Sequence, residues 1–93
     1  IPHVYIITNN NHITLYVGVT SNLPQRIYQH KHKMIEGFSS KYNLTKLIYF
    51  EQFEDMYSAI TREKRLKNWQ RAWKEKLINE LNPQWSDLYS MII

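Results

Sequence analysis

Cysteine is missing from this sequence altogether. That excludes a disulfide-stapled scaffold, a thiolate metal site and a cysteine nucleophile. Glycine occurs only twice and proline three times. Two glycines cannot build a glycine-rich phosphate cradle, and neither a Walker pattern nor G-x-S-x-G is present, so no nucleotide cofactor is expected. No run approaches the roughly 20 apolar residues of a membrane span, and no apolar leader opens the residues given. The expectation is a soluble, intracellular and cytoplasmic protein with no membrane partner. The chain opens on Ile1 rather than methionine, as a trimmed piece of a longer protein would. Its 93 residues are expected to form one domain, 1–93, with a modest core.

Acidic residues are the scarcer charge, 8 against 12 Lys and Arg, giving +4. The excess is concentrated. Seven basic residues lie between Arg62 and Lys76, opposed only by Glu63 and Glu75, a local +5 interleaved with Trp69 and Trp73. Such a stretch suits phosphate binding, and it equally suits a solvated helix face.

His3 to Thr8 and Ile13 to Thr20 are rich in β-branched and aromatic residues, and they flank Asn9-Asn10-Asn11-His12. This predicts a β-hairpin. Alternation puts Val4, Ile6, Leu15, Val17 and Val19 on one face. Tyr5, Tyr16, Gly18 and Thr20 then share the other, with Gly18 leaving room for a close approach. Ser21-Asn22-Leu23-Pro24 starts a helix expected to reach about Ile35 and stop at Gly37, with Leu23, Ile27 and Met34 inward. Gly37 to Asn43 reads as a loop, and Lys46 to Phe53 as a third, well-buried strand. Asp55 caps a helix to about Trp69, with Ala59, Ile60, Leu66 and Trp69 inward. A last helix covers about Gln70 to Leu81, with Trp73, Leu77, Ile78 and Leu81 inward, and Asn82-Pro83 ends it. The tail to Ile93 is expected to pack back on the body. The order ββαβαα describes an α+β fold, a small three-stranded, largely antiparallel sheet flanked by helices.

Three groups of residues can carry chemistry. Glu63 falls within an apolar stripe, and a buried carboxylate needs a partner. A divalent cation would serve, as would an ion pair with Arg62, Lys67 or Arg26. Arg26 and His30, four apart, can clamp a phosphate, or they can be an ordinary exposed arginine and a partly buried histidine. Tyr5 and Tyr16 fit a core with satisfied hydroxyls, or a site in which neighbouring cations lower a phenol's pKa. His3, His12 and His32 lack zinc-ligand spacing.

Val4-Tyr5-Ile6, followed by Tyr16-Val17-Gly18 with the second tyrosine eleven residues after the first, resembles the GIY-YIG motif. Arg26 lies ten after Tyr16 and His30 four after that, as in that endonuclease superfamily, and Glu63 matches its metal-binding glutamate. Asn82 matches an asparagine common near the domain's end. The segments Arg62–Lys74 and Asn82–Leu88 are similar to the small stand-alone bacterial branch. One departure is His3 ahead of Val4-Tyr5, where a glycine usually opens the motif.

The resemblance covers nearly the whole chain. It implies a metal-dependent DNA endonuclease that hydrolyses phosphodiesters, structure-directed or weakly sequence-specific, with a place in DNA repair or recombination. It assigns one Mg²⁺ or Mn²⁺ to Glu63, stabilisation of the pentavalent phosphate to Arg26, and general-base or water-positioning duty to Tyr5. Tyr16 and His30 assist, and Gly18, Thr20 and Asn82 support the site. Lys64, Arg65, Lys67, Arg71 and Lys74 are expected on the DNA backbone. Two other classes fit parts of the sequence: a non-catalytic nucleic-acid-binding module on the same fold, and a protein-interaction module docking through Trp69 and Trp73.

Overall fold

The computed structural model describes residues 1–93. Three strands, β1 (His3–Thr8), β2 (Leu15–Thr20) and β3 (Lys46–Gln52), form an antiparallel sheet in the order β2-β1-β3. The central strand β1 is buried from Val4 to Thr8. In the hairpin Tyr5 lies opposite Gly18, Ile7 opposite Tyr16 and Val4 opposite Val19, so the two faces are divided as alternation requires. β2 begins at Leu15 rather than Ile13. The Asn9 side chain accepts the Ile13 and Thr14 amides at 3.0 and 3.2 Å, and His12 takes a positive φ of 60°. The turn consumes the two residues that composition gave to the strand, and Ile13 is left exposed.

Both faces of the sheet are covered. Val4, Ile6 and Val17 pack with Ala59, Leu66 and Ile78 from α3 (Met56–Asn68) and α4 (Arg71–Leu81). Tyr5 and Ile7 pack on the other side with Leu23 and Ile27 of α1 (Leu23–Lys31), joined by Leu44, Leu47 and Leu88. The capping residues read from the sequence act as such. The Asn22 side chain accepts the Gln25 amide at 3.2 Å, and Asp55 accepts the Ser58 amide at 2.7 Å. That bond and the Ser58 hydroxyl hold the Asp55 carboxyl below its usual range.

Helix α1 ends four residues earlier than its composition suggests. Lys33 turns into the left-handed region at φ 53°, and the Met34 amide closes back on the Gln29 carbonyl at 2.8 Å, a C-terminal capping geometry. Met34 is therefore exposed rather than inward. Gly37, at φ 115°, opens a short helix, α2 (Phe38–Lys41), in what reads as a loop. Ile60, Trp73 and Leu81 are also outward, although they continue the apolar stripes of α3 and α4. Each helix covers one face of a three-stranded sheet, and that footprint is narrower than the stripe.

β3 is an edge strand, and the tail covers its far end. Leu88 donates its amide to the Leu47 carbonyl at 2.7 Å, and Asp87 accepts the Leu47 amide at 3.2 Å while pairing with Lys31 of α1. Covering an exposed edge blocks sheet-to-sheet association. Asn82 locks this turn. Its Nδ2 donates to the Ile48 and Ser86 carbonyls at 3.0 and 2.8 Å, and its Oδ1 accepts the Ser86 amide at 3.1 Å. All three bonds go to backbone, so Asn82 is a structural residue and not part of a reactive cluster. No helix is long and apolar enough to cross a membrane.

Candidate active site

Tyr5 is a core residue whose polar end is the site. It is 1% exposed, and its ring lies directly over Gly18. A β-carbon built on Gly18 would fall 2.8 Å from Tyr5 Cε1 and closer still to Cζ and Oη. Glycine is needed here for space, since Gly18 does not take a positive φ. The close approach expected of this glycine is thus the partner phenol itself.

The Tyr5 hydroxyl meets His30 Nε2 at 2.8 Å, and His30 Nδ1 meets Ser39 Oγ at 3.1 Å. All three residues are buried. Ser39 was not singled out by the sequence, where it sits in an apparent loop. Helix α2 exists to carry it inward, and the only available signal was a small polar residue two positions after Gly37.

Charge at this chain of groups runs against the expectation of an acidified phenol. Burial pushes Tyr5 up to about 12, and this outweighs the Arg26 guanidinium beside it, which pulls the other way. Burial together with Arg26 pushes His30 down to about 4. Both groups are therefore neutral near pH 7.

Arg26, Tyr16 and Glu63 all act electrostatically on the Tyr5 phenol, so the fold brings the four together. Arg26 forms no ion pair with any carboxylate, which leaves its guanidinium available to an incoming anion. Tyr16 stands on the same face, its ring 6.1 Å from that of His30. Thr20 opens α1 by accepting the Asn22 amide at 3.1 Å, and it touches no reactive group through a hydrogen bond.

Glu63 arrives by a different route. Its helix packs against the Val4–Ile6 side of the sheet through Ala59 and Leu66. Helix α3 lies along edge strand β2, and there its Glu63–Lys67 side meets the tyrosine face. The Glu63 side chain is 14% exposed and pairs with Lys67 at 3.2 Å. Lys67 Nζ also sits 5.6 Å from the centre of the Tyr16 ring. Among the three cations the sequence offered, Lys67 is thus the partner. Arg62 instead grips Glu51 with Nε and NH2 at 3.0 and 2.9 Å, and Tyr49 donates to the same carboxylate.

No group of three or more His, Asp or Glu side chains converges anywhere in the fold. A single hard oxygen donor can still suit Mg²⁺ or Mn²⁺, which take one or two carboxylates and fill the rest with water and phosphate oxygens. Glu63 fits that donor set, and it does not fit a closed protein cage.

The basic run divides. Lys64 and Lys67 share one side of α3, by their spacing of three. Arg65 is two residues from Glu63 and points elsewhere, onto a shallow pocket with Phe53, Tyr57 and Arg62. Arg71 is committed to structure. Its NH2 donates to the His12 carbonyl at 2.7 Å, NH1 reaches the Ile13 carbonyl, and Nε pairs with Glu75 at 2.8 Å. Lys74 is half-buried, and burial and Arg71 lower its pKa. Of five expected backbone contacts, Arg65 and Arg71 are therefore not directed at the site. Trp69 is half-buried against the core, with Arg62 5.2 Å over its ring, and only Trp73 remains as exposed indole surface.

Residues 1–77 match the GIY-YIG catalytic domain. A UPF0213 protein of Clostridium perfringens is 35% identical over 77 residues, covering 83% of this chain and 82% of that one. A UPF0213 protein of Staphylococcus haemolyticus is 34% identical, covering 84% and 94%. One from Natronomonas pharaonis is 31% identical, covering 82% and 88%, so the similarity reaches archaea as well as bacteria. The solution NMR structure of a UPF0213 protein from Bacillus halodurans shares the fold, with a TM-score of 0.59 over 92% of this chain and 90% of that one at 21% identity. Motif, fold and family match coincide, and the chain belongs to the GIY-YIG family of endonuclease domains.

Proposed function

We propose that this protein is a DNA endonuclease that hydrolyses phosphodiester bonds with the help of one divalent cation. The observation that carries the reading is an arginine without a carboxylate partner placed beside two tyrosines and a lone glutamate. Arg26 is half-buried beside the phenol and has no anionic partner within the fold. A phosphate supplies the missing anion, and a guanidinium can stabilise the added charge of its pentavalent state. Glu63 would hold Mg²⁺ or Mn²⁺, which when bound neutralises charge on the phosphate and on the departing 3′ oxygen. Its accommodation requires Lys67 to release the carboxylate.

Tyr5 serves as a neutral phenol fixed by His30 and Ser39. It orients the attacking water rather than resting as a phenolate, because its pKa lies far above neutrality. Tyr16, next to Lys67, helps to place that water. Lys64 and Lys67 hold the backbone near the site, and such contacts carry little sequence information. Repair and recombination intermediates are the natural substrates of an enzyme with weak sequence readout.

The test is nicking of supercoiled plasmid and cutting of branched oligonucleotides in Mg²⁺ or Mn²⁺. Cleavage is expected, with loss in EDTA and in the variants Arg26→Ala and Glu63→Ala. No cutting of either substrate, or equal cutting by Arg26→Ala, overturns the reading. DNA binding that persists equally with and without metal, and with no cleavage, would instead identify a non-catalytic binding module.

A further inference from the structure

Helix α2 is four residues long, yet it and its C-capping residue present two large rings to solvent. Phe38 is 49% exposed and Tyr42, one turn on, is 42% exposed. The burial of Ser39 against His30 turns them outward. They are not isolated. Phe38 stacks on Tyr16 at 6.1 Å with planes 27° apart, and Tyr42 contacts Phe38 at 4.7 Å. The three rings form a continuous ridge from the candidate active site to the surface.

Both ends of the ridge carry a cation. Lys67 Nζ lies 5.6 Å from the Tyr16 ring, and Lys41 Nζ lies 5.6 Å from the Tyr42 ring. Beyond Tyr42 opens a polar pocket of about 440 Å³, lined by Asn9, Asn10, Asn11, Asn43 and Lys33 among others. That volume is on the scale of a small-molecule site, roughly 300–1,000 Å³, and four side-chain amides and one ammonium line it beside Tyr42 and Thr45.

We propose that the Tyr16–Phe38–Tyr42 ridge is a stacking platform for unpaired DNA bases flanking the scissile phosphate, and that the amide pocket receives the outermost base. A run of rings flanked by lysines matches the two faces of a single strand, π-surface and phosphate. A duplex keeps its base faces covered by its own stack, so it offers nothing to Phe38 and Tyr42. Stacking tolerates any base, while the asparagine amide nitrogens, whose oxygens at Asn9, Asn11 and Asn43 already accept bonds within the fold, can donate to a base edge and so impose a mild preference. The inference rests on the nuclease reading and names its substrate class: DNA with an unpaired segment at the cut.

Binding measured without metal separates the two claims. Fluorescence anisotropy at low salt is read with labelled oligothymidylate, a duplex of equal length and an abasic oligonucleotide of equal length. The wild-type chain is expected to bind oligothymidylate about fivefold or more tighter than either of the others. Phe38→Leu and Tyr42→Leu each keep an apolar side chain at an exposed position, so folding is retained, as circular dichroism will check. Each should lose about fivefold or more on oligothymidylate and nothing on the abasic strand. Equal affinity for oligothymidylate and abasic DNA overturns the platform, as does a variant that loses affinity for all three ligands equally. If base-dependent binding is found but no DNA is cut in Mg²⁺ or Mn²⁺, the nuclease reading fails and the platform stands. If DNA is cut without base-dependent binding, the reverse holds.

Discussion

Gly18→Ala tests the packing on which the site depends. The added methyl would sit 2.8 Å from Tyr5 Cε1 and closer to Cζ and Oη, where non-bonded carbons need about 3.5–4.0 Å. The clash could be relieved cheaply if the ring were free to swing, but Tyr5 is 1% exposed and its hydroxyl is tied to His30 at 2.8 Å. Either the ring is driven about 1 Å toward α1 or the β1–β2 pair opens. Overpacking of this kind costs about 1–3 kcal/mol, which corresponds to at least about 4 °C in Tm for a chain of this size. A misplacement of about 1 Å at the phenol can lower turnover about 100-fold. Thermal denaturation and plasmid nicking are measured for Gly18→Ala, Tyr5→Phe and the double variant. Tyr5→Phe removes one of the crowded atoms, so the double variant should be more stable than the two single losses would sum to. A Gly18→Ala protein with unchanged Tm and unchanged nicking would refute the argument, because it would mean that the ring moves freely.

His30 makes stability depend on pH. Its ring is held neutral with a pKa of about 4 against 6.5 when unfolded, so the unfolded chain binds the extra proton and stability falls as pH drops from about 6.5 toward 4. The full shift corresponds to at most about 3 kcal/mol, and screening at the open side of the site should leave about half. Urea midpoints at pH 7 and pH 4.5 should differ for wild type and much less for His30→Gln; parallel curves would contradict this. Asn82→Ala removes three backbone bonds and strands the Ile48 carbonyl, at a cost of about 1–3 kcal/mol. Nicking per folded molecule should be unchanged, and a selective loss of turnover would place Asn82 back in the site. Lys64→Ala should reduce the salt dependence of DNA binding by about one counterion. Arg71→Ala should instead lower Tm with little effect on that slope, since Arg71 holds the hairpin turn.

Much of the site was legible because it lies on residues whose neighbours are local. Alternation in a hairpin puts Tyr5, Tyr16 and Gly18 on one face whatever surrounds it, and a spacing of four keeps Arg26 and His30 together on one helix. The asparagine and aspartate caps act within three residues of themselves. The α+β class and all three strands follow from the same short-range rules. The amino-acid sequence by itself thus determined the three strands, the three longer helices, the pairing of the tyrosines and the family.

Tertiary structure decided everything that depends on distant contact. The sequence could offer three cations to Glu63; helical spacing alone favours Lys67, four residues on, but only the packing of α3 on β3 commits Arg62 to Glu51 instead. It could suggest that cations lower the Tyr5 pKa, but the core around the ring raises it, because desolvation of the charged form outweighs one nearby guanidinium. It put Arg71 with the other cations, where the fold spends it on the His12 carbonyl. Ser39 becomes a partner of His30 only once α2 forms and turns it inward. In each case the deciding quantity is burial or proximity between residues far apart in the chain, which composition and spacing do not encode.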